Sequence, residues 1–282
     1  MKRLRVAAAS LAVAAFGISS AVPSQSWYRV FNQTLQDQAV AVARDSVGSV
    51  YVLGRRQTAA TNVDWVLLRY SSIGTLLWTR FLDGPAHGSD YPLTMTVDRF
   101  NNVWVAGSEK YLTGDRPLVL KFSPAGVQLR KVWMNKAAAG YDAFHSVTSD
   151  TLGNVVLTGT MNRPGTGRDF VTLKLSQTGI LWWRYWTTTG NMANEAKKVL
   201  TDNAGNVFVM GTSMNANQNR DVMLVKYSPT GSLLWVRSHA GPATDDDLAA
   251  GILDGGGNPV LAVRESKGTY STCSIHRRLG SS

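Results

Sequence analysis

A polar side chain recurs five times along the chain at a near-constant step: Asp37, Asp90, Asp142, Asn194 and Asp246. Four carboxylates and an amide gathered around one axis would supply the hard oxygen ligands that calcium takes. Asp37, Asp90, Asp142 and Asp246 are therefore candidate metal ligands, against the alternative that each caps its own loop by accepting backbone N–H bonds. His145 and Lys197 stand 52 residues apart in a second column, where a channel-facing pair could do acid–base work. Arg55, Arg56, Lys110, Arg116, Arg163, Arg168, Arg220, Arg264 and Lys267 fall in the segments between apolar runs. They form either a surface for an acidic glycan or other polyanion, or a solvated rim. Other catalytic chemistry is thinly represented. The histidines His87, His145, His239 and His276 occupy different repeat registers and offer no metal-ligand spacing. Neither a G-x-S-x-G elbow nor an H-E-x-x-H pair occurs.

The elements that must hold these residues follow from a stricter repeat. Asp45, Asp98, Asp150, Asp202 and Asp254 open the phrases DSVGSVYV, DRFNNVWV, DTLGNVVL, DNAGNVFV and DGGGNPVL, at steps of 53, 52, 52 and 52 residues. Three residues on stand Gly48, Asn101, Gly153, Gly205 and Gly257. Glycine replaced only by asparagine marks a left-handed backbone position. The aspartate can accept N–H bonds inside such a turn, which makes this ladder turn chemistry rather than catalysis. A second turn, Ser-x-x-Gly, starts at Ser71, Ser123, Ser176 and Ser228, with Pro124 and Pro229 at its second position. Around both turns lie short β-branched and aromatic runs, including Ala39 to Ala43, Val50 to Leu53, Trp65 to Tyr70 and Leu76 to Phe81. Each unit thus predicts four antiparallel strands, a to d, and helix signals are absent.

Four-stranded units repeated every 52 residues hide both faces by radial stacking, so the expected fold is an all-β propeller with strand a innermost. Repeats are expected around 39–81, 92–134, 143–186, 195–237 and 247–276. The last has a weak third strand near Tyr270 to His276 and no fourth. Residues 27–31, Trp27-Tyr28-Arg29-Val30-Phe31, lie 18 before Asp45 as Trp78 lies 20 before Asp98. They read as the missing outer strand, closing a five-bladed ring and removing exposed edges. Trp78, Trp183 and Trp235 are expected to fill the wedges between blades from one column on strand d. The b-to-c and d-to-a loops share one face and vary between units (RRQTAATNV, SEKYLTGD, TMNRPGTG, TSMNANQN). Variable loops on a rigid scaffold are the default binding surface.

Residues 1–21 read as a secretory signal: Lys2, Arg3 and Arg5, then an apolar run to Ile18, then Ser19-Ser20-Ala21. Cleavage would leave a propeller over 22–276 and a tail over 277–282, with no membrane span. It would also remove three of the 29 basic residues, leaving 26 against 19 acidic ones and a net charge of +7. Export argues against nucleic acid as a partner despite the high pI. Cys273 is the only cysteine, so no intramolecular disulfide is available.

The phrases DNAGNVFVMG (Asp202 to Gly211) and VMLVKYSPTGSLLW (Val222 to Trp235) resemble the bacterial β-propeller repeat family abbreviated SBBP. The resemblance spans nearly the whole chain after the signal, with Arg130 in place of a family tryptophan and Pro259 inside the fifth phrase. It implies a secreted or periplasmic, extracellular propeller and supplies no catalytic motif or cofactor. The reading that follows is an exported, monomeric, non-catalytic binding scaffold. Its ligand is a surface glycan or protein held by the b-to-c and d-to-a loops. The alternatives are a propeller enzyme (lyase, hydrolase or quinoprotein-like) with a site at the channel mouth, and a purely structural surface component.

Overall fold

The computed structural model describes residues 27–31, 36–58, 62–111, 114–134, 140–188, 193–241, 245–267 and 270–276. The expected signal over 1–21 and the tail over 277–282 lie outside them. The first sheet contains β1 (Asp37–Arg44), β2 (Val50–Gln57), β3 (Val63–Tyr70) and β4 (Leu76–Leu82). The second contains β5 (Tyr91–Val97), β6 (Val103–Tyr111), β7 (Gly114–Phe122) and β8 (Gln128–Trp133). The third runs β9 (Ala143–Ser149), β10 (Val155–Arg163), β11 (Gly167–Leu175), β12 (Ile180–Trp186), and the fourth β13 (Asn194–Thr201), β14 (Val207–Met214), β15 (Arg220–Tyr227), β16 (Leu233–His239). The fifth has three strands, β17 (Asp246–Leu253), β18 (Pro259–Lys267) and β19 (Tyr270–His276). Pro259 is tolerated because it opens its strand.

Within each sheet, strands pair antiparallel in chain order. The first strands of successive sheets touch one another, β1 with β5, β5 with β9, β9 with β13 and β13 with β17. Side chains staple them: Ser149 Oγ donates to the Val97 carbonyl (3.5 Å) and Thr201 Oγ1 to that of Ser149 (3.4 Å), while Val199 N–H donates to Ser146 Oγ (3.2 Å). Five sheets thus radiate as the blades of a propeller. The middle strands are covered on both faces by neighbouring blades, which is why they are nearly continuous apolar runs. Tyr51, Leu53 and Trp65 of the first blade join Val103, Val105 and Phe122 of the second in one cluster, and each later pair of blades repeats the arrangement.

The aspartate ladder closes the a-to-b turns as expected. Its carboxylates accept N–H bonds from Ser49, Asn102, Asn154, Asn206 and Asn258 at 2.7–2.9 Å. Asn101 takes φ 62° where the other blades have glycine.

The tryptophan column is corrected at one member. Trp182, not Trp183, fills the wedge: Trp182 is 6% exposed and Trp183 is 50% exposed. The turn starting at Ser176 is one residue shorter than the others, since Ser176 N–H bonds to the Gly179 carbonyl whereas Ser71, Ser123 and Ser228 reach four residues on. This shortening moves Trp182 into register with Trp78 and Trp235, opposite Lys174 as those face Arg69 and Lys226. The column is also a clamp. Trp78 Nε1 donates to the Pro124 carbonyl (2.9 Å) and Arg80 Nε to that of Gly126 (2.7 Å), both in the next blade's c-to-d turn. Trp182 and Arg184 do the same to Pro229 (2.9 Å) and Gly231 (2.7 Å). Trp27 Nε1 donates to the Ser72 carbonyl (3.1 Å), with Arg29 stacked on its ring. Residues 27–31 therefore sit against the first blade as an outer strand of the preceding blade would.

Candidate functional site

Each innermost strand carries one residue more than its partner, at the same height in every blade. Ala39 pairs with Gly54 and Ala41 with Leu53; Phe144 pairs with Gly159 and Ser146 with Thr158. The same skip recurs in the other three blades. The residues left out of the ladder are Val40, Leu93, His145, Lys197 and Ala249. A β-bulge re-aims such a side chain and is enriched beside functional sites. Glycine opposite the bulge admits the displaced backbone: a Cβ on Gly107, Gly159 or Gly211 would collide with the carbonyl oxygen of Tyr91, Ala143 or Glu195.

His145 and Lys197 are thus the bulge residues of the third and fourth blades, as their shared column suggested. His145 Nδ1 lies 3.7 Å from Glu195 on the next inner strand, and Lys197 Nζ contacts Asp247 on the strand after that. Burial holds the His145 pKa below the ordinary imidazole value; Glu195 opposes this, and Arg168 and Lys197 reinforce it. The ring is therefore neutral at neutral pH, with no hydrogen-bond partner on Nε2 among the described residues. The equivalent positions in the other blades, Val40, Leu93 and Ala249, are aliphatic.

The polar column expected to gather a cation does not converge. Asp90 accepts N–H bonds from Gly84 and Lys110 (2.6 Å each), Asp142 from Asn162 (2.8 Å) and Asp246 from Gly241. Asn194 Oδ1 accepts from Ser213 Oγ (2.6 Å). These residues cap loops, and Asp37 opens β1 at the same height. Among the described residues, no group of three potential metal ligands contains two members of the column. Asp90 lies in such a group with two other acids, Asp64 and Asp83. Burial, the largest cause, pushes its carboxyl up to about 6, against the lowering effect of its two N–H bonds and with Glu109 and Asp64 adding to the rise.

The basic rim is also narrower than the sequence suggests. Arg116 is buried on Glu109 (2.6 Å) between the rings of Tyr111 and Trp133, Lys110 pairs with Asp115 (3.3 Å), and Arg163 with Asp169 (3.1 Å). Arg56 covers the Phe81 ring, and Arg55 lies over Tyr91. Arg264 is exposed on β18, opposite Asp247, and Lys267 ends that strand. Arg168 and Arg220 differ. They hold equivalent places at the starts of β11 and β15, each bridged by its backbone to the segment entering the next inner strand, at Ala193 and Asp245. Among the described residues, no carboxylate lies within ion-pair distance of either guanidinium.

One constellation escaped sequence reasoning. His239 on β16 and His276 on β19, from different blades, both reach Glu265 on β18, at 3.0 and 3.4 Å. Repeat registers could not reveal this, because the contact crosses from the outer strand of one blade to the third strand of the next.

No helix among the described residues is long and apolar enough to cross a membrane. No protein-family model matches the chain, and no curated protein is significantly similar to it. Solved structures resemble it in fold. A subtype N10 neuraminidase-like protein of A/little yellow-shouldered bat/Guatemala/060/2010 aligns at TM-score 0.53 and 12% identity, over 85% of this chain and 80% of that one. Hadza microbial sialidase Hz136 aligns at TM-score 0.51 and 12% identity, over 81% and 53%. A PL25 polysaccharide lyase, an ulvan lyase bound to -[GlcA(1-4)Rha3S]-, aligns at TM-score 0.51 and 11% identity, over 79% and 63%. At these identities the likeness is one of fold, and the fold is the five-bladed all-β propeller.

Proposed function

We propose that the protein is an exported propeller scaffold of the SBBP repeat type that binds an acidic carbohydrate at the loop-rich mouth of its channel. The observation that carries this reading is the pairing of Arg168 and Arg220, whose guanidinium groups have no carboxylate within ion-pair distance among the described residues, with the bulge residues His145 and Lys197 on the same blades. Guanidinium groups bind carboxylate and sulfate oxygens by charge-assisted hydrogen bonds. The aliphatic Val40 and Leu93 on the facing inner strands suit the apolar face of a sugar ring. Two of the fold neighbours are named for glycan chemistry, and the ligand bound to the ulvan lyase, -[GlcA(1-4)Rha3S]-, carries acidic sugars. The test is retention of the purified chain on heparin and on a polyuronate. The Arg168→Glu, Arg220→Glu double variant should bind about tenfold more weakly, about 1.4 kcal/mol, and lose most of its salt dependence. Retention unchanged by the double substitution overturns the reading.

His145 favours a second reading, a lyase. A neutral, desolvated imidazole beside cationic groups can abstract a proton next to a uronate carboxylate that those cations neutralise. Appearance of an unsaturated uronate product on incubation with an acidic polysaccharide, abolished by His145→Gln, would select it over the scaffold.

A further inference from the structure

The His239–Glu265–His276 constellation lies in the wedge between the fourth and fifth blades. Its side chains are 20%, 11% and 22% exposed. The same position in the second blade shows what is unusual about it. Glu109 on β6 is paired across the ladder with Arg116, as Glu265 on β18 is paired with Thr272. Glu109 is neutralised twice, by Arg116 at 2.6 Å and Lys131 at 2.7 Å. Glu265 has no lysine or arginine within ion-pair distance among the described residues. Its contacts are two imidazoles and Ser274 Oγ, which donates to Oε1 at 2.6 Å.

Both Nε2 atoms address the same oxygen, at 3.0 and 3.4 Å, and the three atoms lie within 4.8 Å of one another. Ligands about 2.0–2.2 Å from a tetrahedral zinc ion stand about 3.3–3.6 Å apart. Two imidazoles and a carboxylate suit zinc and the neighbouring divalent transition metals rather than calcium or magnesium, which take oxygen donors. We propose that His239, Glu265 and His276 bind a divalent transition-metal ion, zinc in class, which ties β19 of the fifth blade to β16 of the fourth. The location gives this tie a purpose. β19 ends the only three-stranded sheet among the described residues. A metal there would secure the edge of that sheet to the outer strand of the fourth blade.

The experiment is zinc titration of the full chain after chelator treatment, read by competition with a chromophoric chelator and by thermal melting. One equivalent should bind, and the melting temperature should rise with zinc but not with calcium or magnesium. His239→Ala and Glu265→Gln should each weaken binding at least tenfold. Cys273, exposed and on the opposite face of β19 from Ser274 and His276, should be replaceable by serine without effect. Cobalt provides a readout independent of stability: a tetrahedral absorption band in the wild type, absent in Glu265→Gln. Failure of the wild type to hold zinc against the competitor overturns the proposal. So does zinc binding that survives both substitutions or is lost in Cys273→Ser.

Discussion

The two faces of the propeller use the same strands to opposite ends. On the turn face, the five aspartates close the same hairpin, and Trp-x-Arg pairs grip the next blade's turn with near-identical distances. On the loop face, structurally equivalent positions change chemistry from blade to blade. One ladder column reads Arg56, Glu109, Met161, Ser213 and Glu265, and the bulge column reads Val40, Leu93, His145, Lys197 and Ala249. Packing requires sameness, because every wedge has the same shape to fill. Chemistry collects where a rigid, repeated backbone is free to present a different side chain.

The sharpest break in this comparison is expected at two adjacent tryptophans. Trp182→Ala removes a wedge side chain and its bond to the next blade, and should cost about 3–5 kcal/mol in chemical denaturation. Trp183→Ala, half exposed, should cost about 1 kcal/mol or less. Equal effects would remove the distinction between clamp and surface on strand d.

Those two residues also mark what the sequence could reveal. The ladder step, the left-handed turn position and the blade count are local signals, and each appears in the fold where the spacing put it. The tryptophan column was misassigned by one because a turn shortened by one residue is invisible when the tryptophans themselves are aligned. The bulges were hidden for the opposite reason: an extra residue present in every blade leaves the repeat length constant. The candidate site depended on both kinds of information. His145 and Lys197 were legible as a shared column, whereas the partners that consume Arg116, Arg163 and Lys110 are set by strand register. The convergence of His239 and His276 depends on the twist between blades, which no periodicity encodes.

Two ion pairs extend the comparison to electrostatics. Lys174 and Asp150, 3.0 Å apart on the turn-face side, are almost wholly inaccessible, whereas Lys197 and Asp247 are 24% and 38% exposed. Burial alone would raise the Asp150 pKa, but hydrogen bonds from Asn154 and Lys174 more than offset it and hold the group below the ordinary range. A carboxyl depressed on folding contributes stability above its unfolded pKa and loses that contribution as pH falls through the folded value. Lys174→Met should therefore cost about 3 kcal/mol near neutral pH, and the deficit should shrink on acidification. Lys197→Met should cost well under about 1 kcal/mol at any pH, because water already screens that pair. Urea midpoints measured at neutral and acid pH separate the two. A large cost at Lys197 would mean that the channel mouth is as dry as the wedges.

The smallest expected effect concerns His145 and reads the bulge directly. Burial keeps its folded pKa below that of the unfolded chain, about 6.5. The unfolded chain thus takes the proton first, and the His145 contribution to stability falls as pH drops below about 6.5 until the folded value is passed. Asp90 works in the other direction. Its carboxyl, raised to about 6, favours the folded state below the unfolded carboxyl value and loses that contribution as pH rises through about 6. The two slopes partly cancel in the wild type, so its stability profile alone is uninformative. The difference between wild type and His145→Gln removes the Asp90 contribution common to both. That difference should change as pH falls below about 6.5, the unfolded value, with the variant losing less stability on acidification. A pH-independent difference would place His145 in water, and the bulge would then present no desolvated base to the channel.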